Sequence, residues 1–583
     1  MRELTGIDVT TALQAAQRVI GIKHRQKRTQ GGESHPTLVL IERSGAEQQL
    51  EVPQKKRGRK TGKPKETPLL TLEDEDAELD FVYNRLPIAW RPLKEGEDVA
   101  AFDERHLKPP KQEGDPTLVP CEFEGLRKGD VVIMQLGGSG GYLQAGLARQ
   151  AERVGAYVYG VPSTTLKQLR APDATKDDDT RLMLDVARKH PEHCYIQLRQ
   201  HRLSLHITEA YRQWITAQRN RIACQLQLYQ RAKGTVFFNE DNLDNPGSVH
   251  SAYLGLKAND VVLANLEEIE EERHRHLNGL LERAPVYRSA LSGVEGCGPS
   301  TSARIIAAVG DLRRFIVTPD PTLLSELRSE RSRLVDEAEV DEWTVDELTG
   351  HQFAAQARAT YEKARERGDR HQMWQIIRSN KERQAQKFRE AGIVEQAQFL
   401  EAEVDLLNQA LAINQRIHEL KREAFFRSRG RFLSYCGVGV IKVPVYQRDD
   451  NDEIVKDEKT GDPIVASMVG IFPRRRTGSH AKWNNDARTG FYLLGDQWNR
   501  RADSEWGQRL RQNKEMYRKR HPDEIEVVEN GKKRKKYTKG HIHRMAVWRT
   551  ITEFAKWLFA EWYKLDIKGL PPGVETNKEN AAK

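Results

Sequence analysis

Cysteine is scarce in this chain. Five thiols in 583 residues, at Cys121, Cys194, Cys224, Cys297 and Cys436, include no pair spaced as CxxC. That excludes a disulfide framework and a thiolate zinc centre, and points to reduced core thiols. Long apolar runs are missing too. No stretch approaches the ~20 residues that cross a bilayer. The opening MRELTGIDVTTALQAAQRVIGI lacks the basic-then-apolar layout of a signal peptide. The expectation is a cytoplasmic chain with no membrane partner. Charge of one sign is in modest excess: 94 Lys and Arg stand against 85 Asp and Glu, a net charge of +9. Any attraction to a polyanion must therefore come from local clusters. At this length one hydrophobic core is not enough, and two to four domains are expected.

What is present centres on Leu291 to Phe315, LSGVEGCGPSTSARIIAAVGDLRRF. A glycine-hinged turn, Gly296-Cys297-Gly298-Pro299, leads into the apolar helix from Ala303 to Val309, the pattern of a helix-hairpin-helix. Gly296 and Gly298 are both free to take positive φ, and Gly298, Ser300 and Thr301 would then present backbone N–H groups at a helix start. Such an end holds a phosphate and fixes a protein on a DNA backbone without reading bases.

Along the chain, a helix is expected from Asp8 to Arg28, with GIDV alternatively ending a strand. A hairpin follows over Pro36 to Val52, then a mobile basic loop at Gln54 to Lys65. The acidic run Glu73 to Asp80 and the segment Trp90 to Pro120 read as inserted loops. From Asp130, strand VVIMQL, turn GGSGGY, a helix, strand AYVYGV and a helix opened by Asp179 make a β-α-β-α unit with parallel strands. Val262, Leu266, Ile269 and Leu280 fall near a heptad, so an antiparallel or dimeric coiled coil is expected; Ile393, Ala397, Leu400, Val404, Leu407 and Leu411 form a second seam, which serves either dimerisation or a packed helical hairpin within one subunit. After Arg431, FLSYCGVGVIKVPVYQ and IVASMVGIF read as short strands. Arg474, Arg475 and Arg476 form one basic cluster. A lysine-rich loop, Gly531 to Gly540, holds another with Lys533, Arg534 and Lys535. Trp548, Ile551, Leu558 and Trp562 share one face of a final amphipathic helix.

Three blocks together resemble the DEDD-type insertion-sequence transposases and the Piv-type DNA invertases, a group that includes bridge-RNA-guided recombinases. They are LGGSGGY with VPSTTLKQLR and DDDTRLMLDVAR; GVEGCGPSTSARIIAAVGDLRRF; and FLSYCGV with FPRRRTGSHAKWNNDARTGFYLL and GHIHRMAVWRTITEFAKWL. The resemblance implies an α/β plus mainly α chain. An RNase H-like, RuvC-type domain would span 1–197, with loop insertions at about 43–120. Coiled-coil helices would follow at 198–287, the helix-hairpin-helix at 288–315 and a helical arm at 316–430. A C-terminal transposase domain would occupy 431–565, before a disordered tail at 566–583. It implies a transposase or site-specific recombinase in which Asp8, Asp177 and Asp179 hold Mg²⁺ and Ser479 is the nucleophile. Duplex DNA is the expected partner, with a structured guide RNA as a second candidate and homo-oligomerisation through the coiled coil. The sequence departs from the family at several points. Gly137 stands where the family has an acid, Lys176 where it has the first of two aspartates, and Thr477-Gly478 where it has Ser-Gly. The first acid is Asp8 or Glu42, and the nucleophile Ser479 or Thr477. A non-catalytic nucleic-acid-binding protein of the same architecture and a metal-dependent nuclease are the rival expectations.

Overall fold

A computed structural model describes residues 9–24, 36–43, 69–110, 116–137, 140–171, 178–238, 240, 247–338, 340, 354–447, 455, 463–471, 483–529 and 532–567. The chain divides into two compact units, one of residues 1–315 with 429–583 and one of residues 316–428.

The first unit begins with a mixed six-stranded sheet, which a mainly helical region follows. Helix α1 (Val9–Ala15) leads into β1 (Arg18–Lys23), so the helix expected from Asp8 to Arg28 breaks after two turns. The physical reason lies in Arg-Val-Ile-Gly-Ile: β-branched residues and a glycine favour a strand and weaken a helix. Strands β2 (Thr37–Arg43) and β3 (Leu69–Leu72) continue antiparallel from β1. The acidic run expected as a loop is helix α2 (Glu75–Val82), capped by the Asp74 carboxylate on the Ala77 N–H at 2.8 Å. The insert beyond it is a ribbon of β4 (Leu86–Pro92) and β5 (Leu118–Glu124).

Strand β6 (Asp130–Leu136) then pairs parallel with β1, helix α3 (Gly141–Val154) crosses over, and β7 (Tyr157–Pro162) pairs parallel with β6. Helices α4 (Ser163–Leu169) and α5 (Asp179–Lys189) follow, and the short antiparallel β8 (Tyr195–Ile196) completes the order β3-β2-β1-β6-β7-β8. Strand alternation makes this a three-layer core. Ile20, Ile22, Val132 and Met134 pack with Phe81, Leu143 and Leu147 on the α2–α3 side. Val19, Val131 and Ile133 pack with Val9, Leu166, Met183 and Leu184 on the other.

Helices α6 (Arg199–Phe237), α7 (Val249–Asn259) and α8 (Val261–Leu281) come next. Gln213 meets Arg273, Arg221 meets Glu270 and Gln225 meets Glu267, which makes α6 and α8 antiparallel neighbours. The buried line on α8 is Leu263, Leu277, Leu280 and Leu281, whereas Val262 and Ile269, placed in the expected seam, lie 62% and 41% exposed. Leu280 of the expected seam is therefore buried and Leu266 half-buried, while its first part, at Val262, faces away from the line that Leu263 begins. Helix α9 (Pro299–Val309) ends this part of the unit.

In the second unit, α10 (Pro321–Glu337), α11 (Ala355–Glu366), α12 (Arg370–Glu390) and the first part of α13 (Val394–Tyr435) pack together. Leu407 and Leu411 of the expected seam are buried among Leu334, Tyr361, Trp374 and Ile377, so the unit's own helices cover this end of the stripe, while Ile393 at its start is 43% exposed. Helix α13 continues through Phe432 to Tyr435, where strands were expected.

The first unit resumes with the ribbon of β9 (Ile441–Tyr446) and β10 (Val465–Ile471), then α14 (Asn485–Arg500) and α15 (Glu505–Arg520). The lysine-rich loop is in fact a strand: β11 (Ile525–Glu529) pairs antiparallel with β12 (Lys532–Lys536) before α16 (Lys539–Asp566). Ile551, Leu558 and Trp562 of α16 are buried, and Phe554 lies edge-on to Trp498, centroids 5.0 Å apart. No described helix is long and apolar enough to cross a membrane.

Candidate functional site

Parallel strands of an α/β sheet gather functional groups beyond their carboxyl ends. Here that edge is made by His24 after β1, the turn from Gly137 to Gly140 after β6, and Pro162 at the end of β7. Gly137 takes φ +75, and a Cβ on Gly140 would lie 2.8 Å from His24 Cβ, so Gly140 is pressed against the histidine. Beneath it, the Thr37 hydroxyl donates to Glu78 Oε1 at 2.6 Å and His24 Nε2 lies 3.3 Å from the same oxygen. Glu78 is 6% exposed. Sequence reasoning missed this carboxylate by reading its run as a loop. Its signal was the spacing of 78, 81 and 82 behind an Asp74 cap, one inward face of a helix.

Asp179 opens α5, which reaches β1 at Gly21. A Cβ on Gly21 would sit 2.4 Å from the Thr180 carbonyl, so no larger residue admits the helix. The Asp179 carboxylate is 5% exposed and clamped by Arg170, with Nε to Oδ1 at 3.0 Å, Nη2 to Oδ1 at 2.8 Å and Nη2 to Oδ2 at 2.7 Å. Glu42 pairs with Val19 at the amino end of β1, away from the glycine turn, and bonds Arg188. Asp8, Lys176 and Asp177 lie outside the described residues.

The implied Mg²⁺ can be tested against these groups. Among the described residues no three His, Cys, Asp or Glu side chains stand close enough to hold a metal. Both Asp179 oxygens are engaged by a guanidinium, and Lys23 ends β1. The described residues therefore do not fit Mg²⁺.

At the hairpin, Gly296 takes φ +87, but Gly298 is extended at φ −67, a conformation open to any residue. The turn is fastened from behind by α14: the Trp498 indole N–H donates to the Glu295 carbonyl at 3.1 Å, and a Cβ on Gly296 would lie 3.0 Å from Gln497 Cβ. Pro299 takes the first helical turn of α9, and the Thr301 and Ser302 N–H groups donate to the Gly298 carbonyl at 3.1 and 3.0 Å. Ser300 Oγ lies 3.5 Å from His274 Nε2, on a groove that Glu267, Glu270 and Glu271 also line. Carboxylates there oppose a phosphate, so the open approach is over Gly298, where none of the described residues lies within 4 Å of an added Cβ. Burial pushes the Cys297 thiol up to about 11, which keeps it protonated and inert.

Arg474, Arg475, Arg476, Thr477 and Ser479 lie outside the described residues. Of the other basic cluster, Lys533, Arg534 and Lys535 fall on β12, with Lys533 and Lys535 exposed. On α15, burial together with Arg518 and Arg511 pushes the Lys514 ammonium below its ordinary value. Burial and Lys514 do the same to His543. Between 505 and 544 the sequence carries thirteen Lys and Arg against six Asp and Glu, so the region is far more basic than the chain as a whole.

No family model matches the chain, and no curated protein matches it in sequence.

Proposed function

We propose that the protein is a DNA transposase or site-specific recombinase with an RNase H-like, RuvC-type N-terminal domain. The observation that carries this reading is the sheet: an antiparallel β1-β2-β3 meander extended by parallel β6 and β7, with the acidic start of α5 seated over β1 and a glycine turn at the same edge. The helix-hairpin-helix turn and the basic C-terminal region supply DNA-backbone contacts in this reading. Ser479 is the proposed nucleophile. Its oxygen bonds to the scissile phosphorus as the bond to the leaving sugar oxygen breaks, and the hydroxyl of an incoming strand later reverses the step. Arg474, Arg475 and Arg476, a few residues upstream, would stabilise the added charge on the phosphate. Asp179 would join Asp8 and Asp177 only after release from Arg170. A guide RNA and assembly into a homo-oligomer remain part of the proposal.

The test is a covalent adduct. Protein incubated with Mg²⁺ and supercoiled DNA carrying the gene's own flanking sequence should retain a DNA strand through denaturing electrophoresis. Ser479→Ala should abolish the band and Asp179→Ala should weaken it at least tenfold. A band that survives Ser479→Ala but not Thr477→Ala moves the nucleophile to Thr477. Metal-dependent cleavage without an adduct replaces the serine recombinase by a nuclease.

A second reading, a non-catalytic DNA-binding protein of the same architecture, is favoured by the Arg170–Asp179 clamp and by Lys23 and His24 at the sheet edge. It expects salt-sensitive DNA binding with neither adduct nor cleavage.

A further inference from the structure

Among the described residues, the ribbon of β11 and β12 shows little hydrophobic packing. Among the described residues neither strand packs broadly on any other element, and Ile525 is 45% exposed. An isolated two-stranded hairpin is marginal in water. Strand β12 reads Lys-Lys-Arg-Lys-Lys, a cation at each of five successive positions, and only Glu526 and Glu529 stand across from it, opposite Lys535 and Lys532. Such a strand repels itself unless counterions or a polyanion cover it.

Its base, by contrast, is tightly held. The His521 ring, just past α15, stacks on Tyr537 with centroids 3.7 Å apart and planes 4° from parallel, and Tyr537 stacks in turn on His541 at 5.6 Å and 5°. The Tyr537 N–H donates to His541 Nδ1 at 3.0 Å, and the Thr538 hydroxyl caps α16 through the His541 N–H at 3.2 Å. Tyr537 takes φ +62, a left-handed conformation costly for a bulky side chain, which the two flanking rings and this hydrogen bond offset. Three parallel rings thus fix the direction in which the ribbon leaves the two helices. A solvated loop would have no use for that rigidity.

We propose that the β11–β12 ribbon enters the major groove of B-form duplex DNA, with the cations of α15 beside it on the phosphates. This rests on the DNA-processing reading above and deepens it by naming the duplex form and the groove. The dimensions decide between grooves. A two-stranded ribbon with side chains is roughly 10 Å across, and it fits a B-DNA major groove of about 12 Å but not a minor groove of about 6 Å. The deep, narrow major groove of an A-form RNA helix excludes it. Strand β12, five residues at ~3.4 Å each, would run about 17 Å along the groove, enough for side chains to reach phosphates of both strands.

The experiment is fluorescence anisotropy of the full chain with a 24-base-pair DNA duplex and an RNA duplex of the same sequence, at about 50 mM salt. DNA should bind at least tenfold tighter than RNA. The major-groove ligand methyl green should weaken DNA binding at least tenfold, and the minor-groove ligand netropsin less than twofold. The double variant Lys533→Ala with Lys535→Ala changes two exposed side chains and should keep the wild-type melting temperature. It should lose the methyl green sensitivity and lower the slope of log K against log salt by about 1.8, at ~0.9 per phosphate contact. DNA binding with an unchanged slope in that variant, or competition by netropsin alone, overturns the ribbon while leaving DNA recognition standing. Tighter binding to the RNA duplex overturns the B-form assignment. Absence of DNA binding by the wild type at this salt overturns both the ribbon and the reading beneath it.

Discussion

The sheet and the region from α15 to the start of α16 belong to the same compact unit and treat charge in opposite ways. In the sheet, buried acids are matched. Arg18 holds Asp130 through two bonds of 2.8 and 2.6 Å and Glu124 at 2.6 Å, Arg170 clamps Asp179, and Asp80 lies 2.6 Å from His106. In the C-terminal region cations crowd one another, and burial, with neighbouring cations adding to it, lowers Lys514 and His543. Matched buried charge ties elements together, whereas crowded like charge attracts an anionic partner. The modest excess of +9 conceals this separation.

The largest expected effect breaks the matched side. Arg18 is 6% exposed, Asp130 is fully buried and Glu124 is 8% exposed, and the same guanidinium also donates to the Gly125 carbonyl at 2.7 Å. Arg18→Ala leaves Asp130 with no cation in a dry site and Glu124 with only the more exposed Arg127 at 3.1 Å, at a cost of roughly 3–5 kcal/mol. Urea melts followed by the sheet's circular dichroism should show that loss. A loss under about 1 kcal/mol would mean these acids are solvated and the contrast between the regions is false.

A middle-sized effect separates the two hairpin glycines, which look equivalent in sequence. Gly296→Val forces a β-branched residue into φ +87 and onto Gln497 and Trp498, which should cost about 2–3 kcal/mol and weaken DNA binding. Gly298→Val meets none of the described residues at an extended φ and should change stability by less than about 0.5 kcal/mol. Thermal melts and anisotropy on the two single variants check the difference. Equal destabilisation would mean that the turn is not fastened to α14.

Where the pattern was long or chemically one-sided, the sequence was legible. β6, α3, β7 and α5 announce themselves because a central parallel strand is a continuous apolar run and Gly155 caps α3 in the left-handed region. β1 was lost because Arg-Val-Ile-Gly-Ile follows directly on a helical Ala-rich stretch, and helical spacing carried through it. β12 was lost because lysine has little strand propensity, although the Asn-Gly pair in the sequence ahead of it is a hairpin signal. Asp179 and the glycine turn were readable as candidates. The Arg170 clamp was not, since nothing local marks which cation a buried carboxylate will meet. Glu78 and His24 are 54 residues apart in sequence and join only through the register of β1, β2 and α2.

The smallest effect concerns an acid that lacks a full partner. Asp566, near the end of α16, accepts from the Trp562 indole N–H at 2.7 Å and lines a cavity of about 270 Å³ with Asp311, His201 and Arg288. Burial and the neighbouring Asp311 push its carboxyl up to about 7, against the pull of Arg313 and the indole bond. Arg313 is committed to Asp311, donating from Nη2 to Oδ2 at 2.6 Å, and burial holds His201 down at about 3, so neither histidine nor arginine neutralises Asp566 fully. The folded state therefore keeps a proton that the unfolded chain, with its carboxyl near 3.8, has already released. This contribution to stability is complete below about pH 4 and is lost as pH rises to 7. Asp566→Asn keeps the acceptor for Trp562 and removes the titration. Between pH 5 and 8 the wild type should lose roughly 2 kcal/mol relative to the variant. Urea melts across that range would expose the error if the two curves ran parallel, for then Asp566 would be charged and matched like the acids of the sheet.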